Sequence, residues 1–203
     1  MFKVGLTGGI ASGKSTVCRM LEAKGCVIID ADKEAHRLLL KGEACYLPAV
    51  TAFGHAILRA DGEIDRGRLG QVVFEDESKL DLLNSIVHPH VISEILSKLD
   101  IIGKARPEAR VVVDASLMIE SGFHRRFKGL VVVWCGIEQQ VERLMQRNAM
   151  SESQARKRIA LQMPLEEKVK LADWVIDNSG PLAETERQVE TIVEIWAANS
   201  WIM

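Results

Sequence analysis

The segment Gly8-Gly9-Ile10-Ala11-Ser12-Gly13-Lys14-Ser15 constrains this chain more than any other, because it matches G-x-x-x-x-G-K-[ST] at the one place where that match has a mechanism. Phe2 to Thr7 before it is a short β-prone run. Lys14 to Lys24 after it carries Val17, Met20 and Leu21 at helical spacing. Strand, glycine-rich loop and helix in that order make a phosphate-binding P-loop. Glycines let backbone N–H groups converge on phosphate oxygens, and the exposed N–H groups and dipole of the following helix add to the attraction. Lys14 supplies a movable positive charge for β- and γ-phosphates, and Ser15 a hydroxyl for Mg²⁺. A glycine-rich turn that binds nothing is the competing reading, and the flanking strand and helix weigh against it.

Further short apolar runs complete a pattern. Val27 to Ile29 ends at Asp30, Val111 to Val113 ends at Asp114, Leu130 to Cys135 follows, and Trp174 to Ile176 ends at Asp177. Continuous apolar strands separated by helical segments indicate an α/β fold, a parallel sheet with helices on both faces. Between the second and third strands lie about 70 residues of mainly helical pattern, far beyond an ordinary crossover of roughly a dozen or more. An inserted region at 33–103 is therefore expected. Within it Asp61-Gly62 marks a turn, and His88-Pro89 is expected to separate a helix over Lys79 to Ile86 from another over Val91 to Leu99. A second excursion, 138–171, is rich in Arg and Lys, and Ser151-Glu152-Ser153-Gln154 in it fits a capping box that starts a new helix. The core is then 1–32, 104–137 and 172–203, all in one domain.

Composition excludes several classes. The chain has 203 residues, 47% apolar and 27% charged, and a net charge of −2, which gives a sizeable core and no overall attraction to nucleic acid or an anionic membrane. Its longest apolar run, Leu130 to Ile137, falls well short of the roughly 20 residues of a membrane helix. The N-terminal stretch is too glycine-rich for a signal-peptide core, and Cys18, Cys26, Cys45 and Cys135 are scattered without a CxxC pair. A cytoplasmic protein with reduced, mostly buried thiols is expected, with no nucleic acid or membrane partner.

Candidate chemistry gathers around the P-loop. Asp30-Ala31-Asp32 follows the second strand, and ligands of open α/β sheets bind outside the carboxyl ends of the strands. One of these carboxylates can cap the helix that begins at Ala31 while the other does chemistry, and Asp32 is the favoured catalytic one. Asp114 could hold Mg²⁺ through water, or cap a helix from Leu117 onward. Arg143 and Arg147 share a helix face, and at least one is expected to clamp phosphate, because phosphoryl transfer concentrates negative charge. Arg156, Lys157 and Arg158 form a second basic cluster. His88 reads first as a packed or hydrogen-bonding residue, with substrate contact open. Trp174, Trp196 and Trp201 read as core or interface anchors, and Met145, Met150 and Met163 as gap fillers. Spacing alone thus yields a P-loop kinase with an inserted acceptor domain and an arginine-bearing lid.

The order of motifs resembles the dephospho-CoA kinase family from Lys3 to about Gly180. Gly5-Leu6-Thr7-Gly8-Gly9-Ile10-Ala11-Ser12-Gly13-Lys14-Ser15-Thr16 looks like its P-loop, with Ala11 where Gly is usual, and Asp30-Ala31-Asp32 like its D-A-D signature. Asp61-Gly62-Glu63-Ile64-Asp65-Arg66, Val73-Phe74 and Leu83-Asn84-Ser85-Ile86-Val87-His88-Pro89 resemble its inserted substrate domain. Leu117-Met118-Ile119-Glu120 stands where the family has P-L-L-x-E, with Ser116 in place of the proline. Gln140 to Arg147 looks like the start of its lid, Gln162-Met163-Pro164 with Lys168 the return, and Ile176-Asp177-Asn178-Ser179-Gly180 the last strand and adenine-side loop. The resemblance implies an adenylate-kinase-like fold and transfer of phosphate from ATP, with Mg²⁺, to the ribose 3′-hydroxyl of dephospho-CoA, the last step of coenzyme A biosynthesis. It implies catalytic roles for Asp32, Lys14 and Arg143. Nucleotide contacts would come from Gly8, Gly9, Ala11, Ser12, Gly13, Lys14, Ser15, Thr16, Arg147 and Asn178, acceptor contacts from Asp32, His88 and Asp114, and the metal contact from Ser15.

Overall fold

Val111 to Val113 and Val131 to Val133 are fully buried, so these β-branched runs have no solvent face and form the middle of a covered sheet. The computed structural model describes residues 1–74 and 76–199. In chain order the main elements are β1 (Phe2–Gly8), α1 (Lys14–Ala23), β2 (Val27–Asp30), α2 (Ala31–Leu38), α3 (Tyr46–Phe53), α4 (Arg66–Phe74) and α5 (Glu77–Ala105). They continue with β3 (Arg110–Asp114), β4 (Leu130–Trp134), α6 (Ile137–Asn148), α7 (Glu152–Ala160), α8 (Leu165–Val169), β5 (Trp174–Asp177) and α9 (Leu182–Asn199). The strands form one five-stranded sheet in the order β2-β3-β1-β4-β5. Every pairing is parallel, so all carboxyl ends share one edge.

The chain divides into two compact units, residues 1–30 with the described residues from 101 onward, and residues 31–100. In the first, Val17 and Leu21 of α1 and Val189 and Trp196 of α9 bury against Val4, Leu6, Val131 and Ile176 of the sheet. Trp174 and Trp196 meet edge to face with centroids 5.7 Å apart, as expected of core anchors. Trp201 and the side chain of Phe74 lie outside the described residues. The four cysteines are free and buried. Among the described residues no helix is long and apolar enough to cross a membrane.

The unit of residues 31–100 has its own core of Tyr46, Ala49, Ile57, Ile64, Leu69 and Val73, with Phe53 packed against it. Leu69 and Phe53 are thus core residues. The expected break at His88-Pro89 is absent, since α5 runs unbroken through Pro89 for 29 residues. Proline removes one main-chain hydrogen bond, and the buried Val87, Val91, Ile95 and Leu99 recur every fourth residue across it and keep the backbone helical.

In the basic excursion, Ser151 does cap α7. Its Oγ accepts from Gln154 N at 3.3 Å, and Gln154 Oε1 accepts from Ser151 N at 2.9 Å. Val141, Leu144 and Ala155 bury the facing sides of α6 and α7, and Met145 and Met150 fill the margin. No helix starts at Leu117, so Asp114 caps none; residues 116–122 are turns leading to a short 3₁₀ segment, Phe123–Arg126.

Candidate active site

The P-loop leaves β1 under tight steric control. A Cβ on Gly8 would lie 2.6 Å from Ser12 Oγ and 2.7 Å from the Val133 carbonyl. Gly13 has φ +99 and lies against the Asn178 amide, so a side chain there meets both a backbone and a contact penalty. Ala11 adopts φ +61, the left-handed region that glycine enters freely and that costs an L-residue about 1–2 kcal/mol. Its side chain packs beside the Val141, Leu144 and Ala155 cluster, which offsets part of that cost.

Three neighbours clamp this loop from outside. Gln140 Nε2 of α6 donates to the Ile10 carbonyl at 2.7 Å, and Ile10 N donates to Gln162 Oε1 at 2.8 Å. The buried Asn178, just past β5, donates through Nδ2 to the Ser12 carbonyl at 2.8 Å and is oriented by Thr185 Oγ1, which donates to Asn178 Oδ1 at 3.1 Å. The Ile10 and Ser12 carbonyls and the Ile10 amide are thus held by the protein, which fixes the loop from outside. The Ser12 hydroxyl is buried with no protein hydrogen-bond partner, which fits a loop that completes its bonding on bound phosphate. α1 opens at Lys14 with no capping side chain and no acidic residue in its first turn.

Lys14 Nζ stands 3.2 Å from Asp114 Oδ1, the two side chains being 13% and 8% exposed. Asp114 ends β3 and lies in register with Asp30, which ends β2, and with Leu6 of β1. One turn along α1, burial pushes the Cys18 thiol far above its usual range, and the Asp114 carboxylate reinforces the shift. Cys18 is a protonated thiol and no nucleophile at neutral pH. The hydroxyl of the exposed Ser15 and the Asp114 carboxylate are hard oxygen donors, the chemistry that suits Mg²⁺.

Arg143, half-buried on α6, donates through a guanidinium nitrogen to the Asn178 carbonyl at 2.9 Å and comes within contact range of Gly13. Arg147, one turn on, is exposed and donates to Asn148 Oδ1 at 2.9 Å. Arg156 of the second cluster bridges Glu138 at 2.7 Å and Glu152 at 2.8 Å, a structural tie between α6 and α7. Thus the P-loop, Asp30, Asp114, Arg143 and Asn178 come together in one unit. Asp32 and His88 belong to the other, Asp32 half-buried in the first turn of α2 and His88 half-buried on α5. Asp32 follows Asp30 with no loop between, because β2 passes directly into α2.

Sequence reasoning missed Thr185, which carries no motif and matters only through Asn178. It also missed the clamping roles of Gln140 and Gln162, which nothing in the sequence separates from Gln139, Gln146 and Gln154 of the same excursion.

Comparison with known proteins agrees with this geometry. The dephospho-CoA kinase family model matches residues 2–184. A dephospho-CoA kinase of Carboxydothermus hydrogenoformans is 46% identical over 198 residues, spanning 98% of this chain and 96% of that protein. The crystal structure of TT1252 from Thermus thermophilus superposes with a TM-score of 0.78 at 33% identity, covering 96% of this chain and 97% of that one. A dephospho-CoA kinase from Campylobacter jejuni does so with 0.62 at 27% identity, covering 95% and 96%. A shikimate kinase from Acinetobacter baumannii, at 17% identity and a TM-score of 0.57, shares the fold. With the match running through the P-loop, the inserted unit and the basic excursion alike, the chain belongs to the dephospho-CoA kinase family.

Proposed function

We propose that this protein transfers the γ-phosphoryl group of ATP to the ribose 3′-hydroxyl of dephospho-CoA, giving CoA and ADP, in the cytoplasm. The observation that carries the reading is the P-loop joined to Lys14 and Asp114 at the carboxyl edge of the sheet, in a chain whose family match spans the inserted unit as well.

The division of labour follows from the chemistry. The P-loop backbone around Gly13 to Ser15 cradles the phosphates, and Lys14 moves its charge from Asp114 onto the transferring group. Asp32 orients the 3′-hydroxyl and takes its proton as the new O–P bond forms and the bond from γ-phosphorus to the leaving ADP oxygen breaks. Arg143 neutralises charge on the phosphates, Arg147 joins it when the lid at 138–171 closes, and Asn178 borders the nucleotide. Ser15, with Asp114 through water, would hold Mg²⁺, which supplies charge neutralisation on the phosphates when bound. The region 33–103 holds the acceptor, with His88 among its contacts.

The test is ADP release with Mg²⁺ and ATP alone, with dephospho-CoA, and with shikimate. Release is expected to rise at least tenfold with dephospho-CoA only. Equal release with shikimate, or none above ATP alone, would overturn the reading.

A further inference from the structure

Among the described residues Lys168 on α8 is the one lysine whose side chain is fully buried, with 0% exposure. An ammonium taken from water is tolerated only where oxygen atoms replace its hydration. Here Lys168 Nζ donates to the Ser116 carbonyl at 2.8 Å and pairs with Glu120 Oε1 at 2.9 Å. Both acceptors lie on the turns that follow Asp114. The Ser116 carbonyl also accepts from Thr7 Oγ1 at 3.3 Å, and Thr7 is the last residue before the P-loop. Glu120 Oε1 accepts in addition from Met163 N at 3.1 Å. The neighbouring Gln162 takes the Ile10 amide of the P-loop itself.

One short return segment, 162–168, therefore grips both the P-loop and the turns beyond β3. We infer that Lys168 is a positioning residue for phosphoryl transfer: its buried charge fixes the 116–120 turns and, two residues upstream of them, the carboxylate of Asp114 against Lys14. This rests on Lys14 being the phosphate ligand proposed above. At position 116 the family's proline would set the backbone by its ring. This chain has serine there, and the Lys168 contact to the Ser116 carbonyl is one restraint on that turn.

The experiment compares Lys168→Met, which keeps the length and loses the charge, with Lys168→Arg, which keeps the charge and donors. Steady-state constants for ATP and dephospho-CoA are measured beside melting temperature. Lys168→Met is expected to lose at least tenfold in kcat with both KM values within about threefold, and Lys168→Arg to recover a third or more of the parent kcat. The double variant Lys168→Met with Glu120→Leu removes both charges and should regain melting temperature without regaining kcat. A folded Lys168→Met within threefold of the parent kcat, or a double variant that regains kcat together with stability, overturns the inference. If Lys168→Met does not fold, Glu120→Gln serves instead: a severalfold fall in kcat supports the inference and an unchanged kcat overturns it. Lys14→Ala, assayed alongside, isolates the underlying reading, since turnover retained there removes the premise whatever position 168 does.

Discussion

Lys14 and Asp114 reach one another from adjacent segments of the same sheet edge, Lys14 Nζ to Asp114 Oδ1 at 3.2 Å, with both side chains nearly shielded from water. A cation held this way keeps a counter-charge until phosphate replaces it, and the exchange is short because both groups already stand at the P-loop. Lys14→Ala should leave the fold intact and lose turnover well beyond tenfold. A folded variant within about tenfold of the parent, a change of roughly 1.4 kcal/mol in barrier, would show that Lys14 does not act on the transferred group.

Arg143 and Arg147 differ in setting, the first beside Gly13 and the second in solvent. Arg143→Ala is expected to lower turnover at least tenfold while ATP affinity changes severalfold or less, because its charge matters most as the phosphoryl group separates. Arg147→Ala should do less of both. A loss at Arg143 confined to ATP affinity would make it a ground-state contact.

Ala149 closes α6 with φ +49 and is exposed, so its methyl group pays the left-handed penalty without gaining packing. Ala149→Gly should stabilise the protein by about 1 kcal/mol, a rise of roughly 2–4 °C in melting temperature for a chain of this size. Thermal unfolding followed by circular dichroism decides it, and a lower melting temperature contradicts it.

Inside the unit of residues 31–100, Glu34 joins α2 to α5 through Lys98 and also pairs with Arg37 at 3.1 Å. Partial burial raises its pKa, but the hydrogen bonds from Lys98 and Arg37 outweigh this and hold the carboxyl below its usual range. The sign follows: the folded state binds the proton less readily than the unfolded chain, so the stabilisation is complete above the ordinary value of 4.5 and is lost as pH falls through the lower folded value. Glu34→Gln should therefore be less stable than the parent near neutrality, with the gap closing below about pH 4. Urea titrations at several pH values check this, and a gap that widens in acid would contradict it.

Asp32 and Asp30 differ by one intervening residue and by element, the former in the first turn of α2 and the latter at the end of β2. Asp32→Asn keeps shape and one acceptor but cannot take a proton, so turnover should fall by about 10²–10⁴ with ATP binding nearly intact. Asp30→Asn should cost less. The reverse order in single-turnover assays would exchange the two roles, and no effect of either would shift the test to Asp114.

The sheet was legible because Val111 to Val113 and Leu130 to Cys135 are short, apolar at every position and rich in β-branched valine, the mark of strands covered on both faces. The Ser151 capping box was equally legible, since its chemistry is local. Pro89 misled because a local rule about proline gave way to burial of Val87, Val91, Ile95 and Leu99, which depends on what the helix packs against. The P-loop could be read from spacing, whereas spacing left Arg143 and Arg147 undivided. Thr185 and the buried contacts of Lys168 could not be read from it, because each acts through a partner distant in sequence, and a lysine in a basic segment reads as solvated until its surroundings are known.

The most direct measurement is the position of the phosphate on the product. Incubation with ATP, Mg²⁺ and dephospho-CoA, followed by ³¹P NMR of the purified product, should show one new phosphomonoester coupled to the ribose H3′, in amounts equal to the ADP formed. Phosphate on the 2′-oxygen, or ADP formed with inorganic phosphate and no new ester, would contradict the assignment of the 3′-hydroxyl as acceptor.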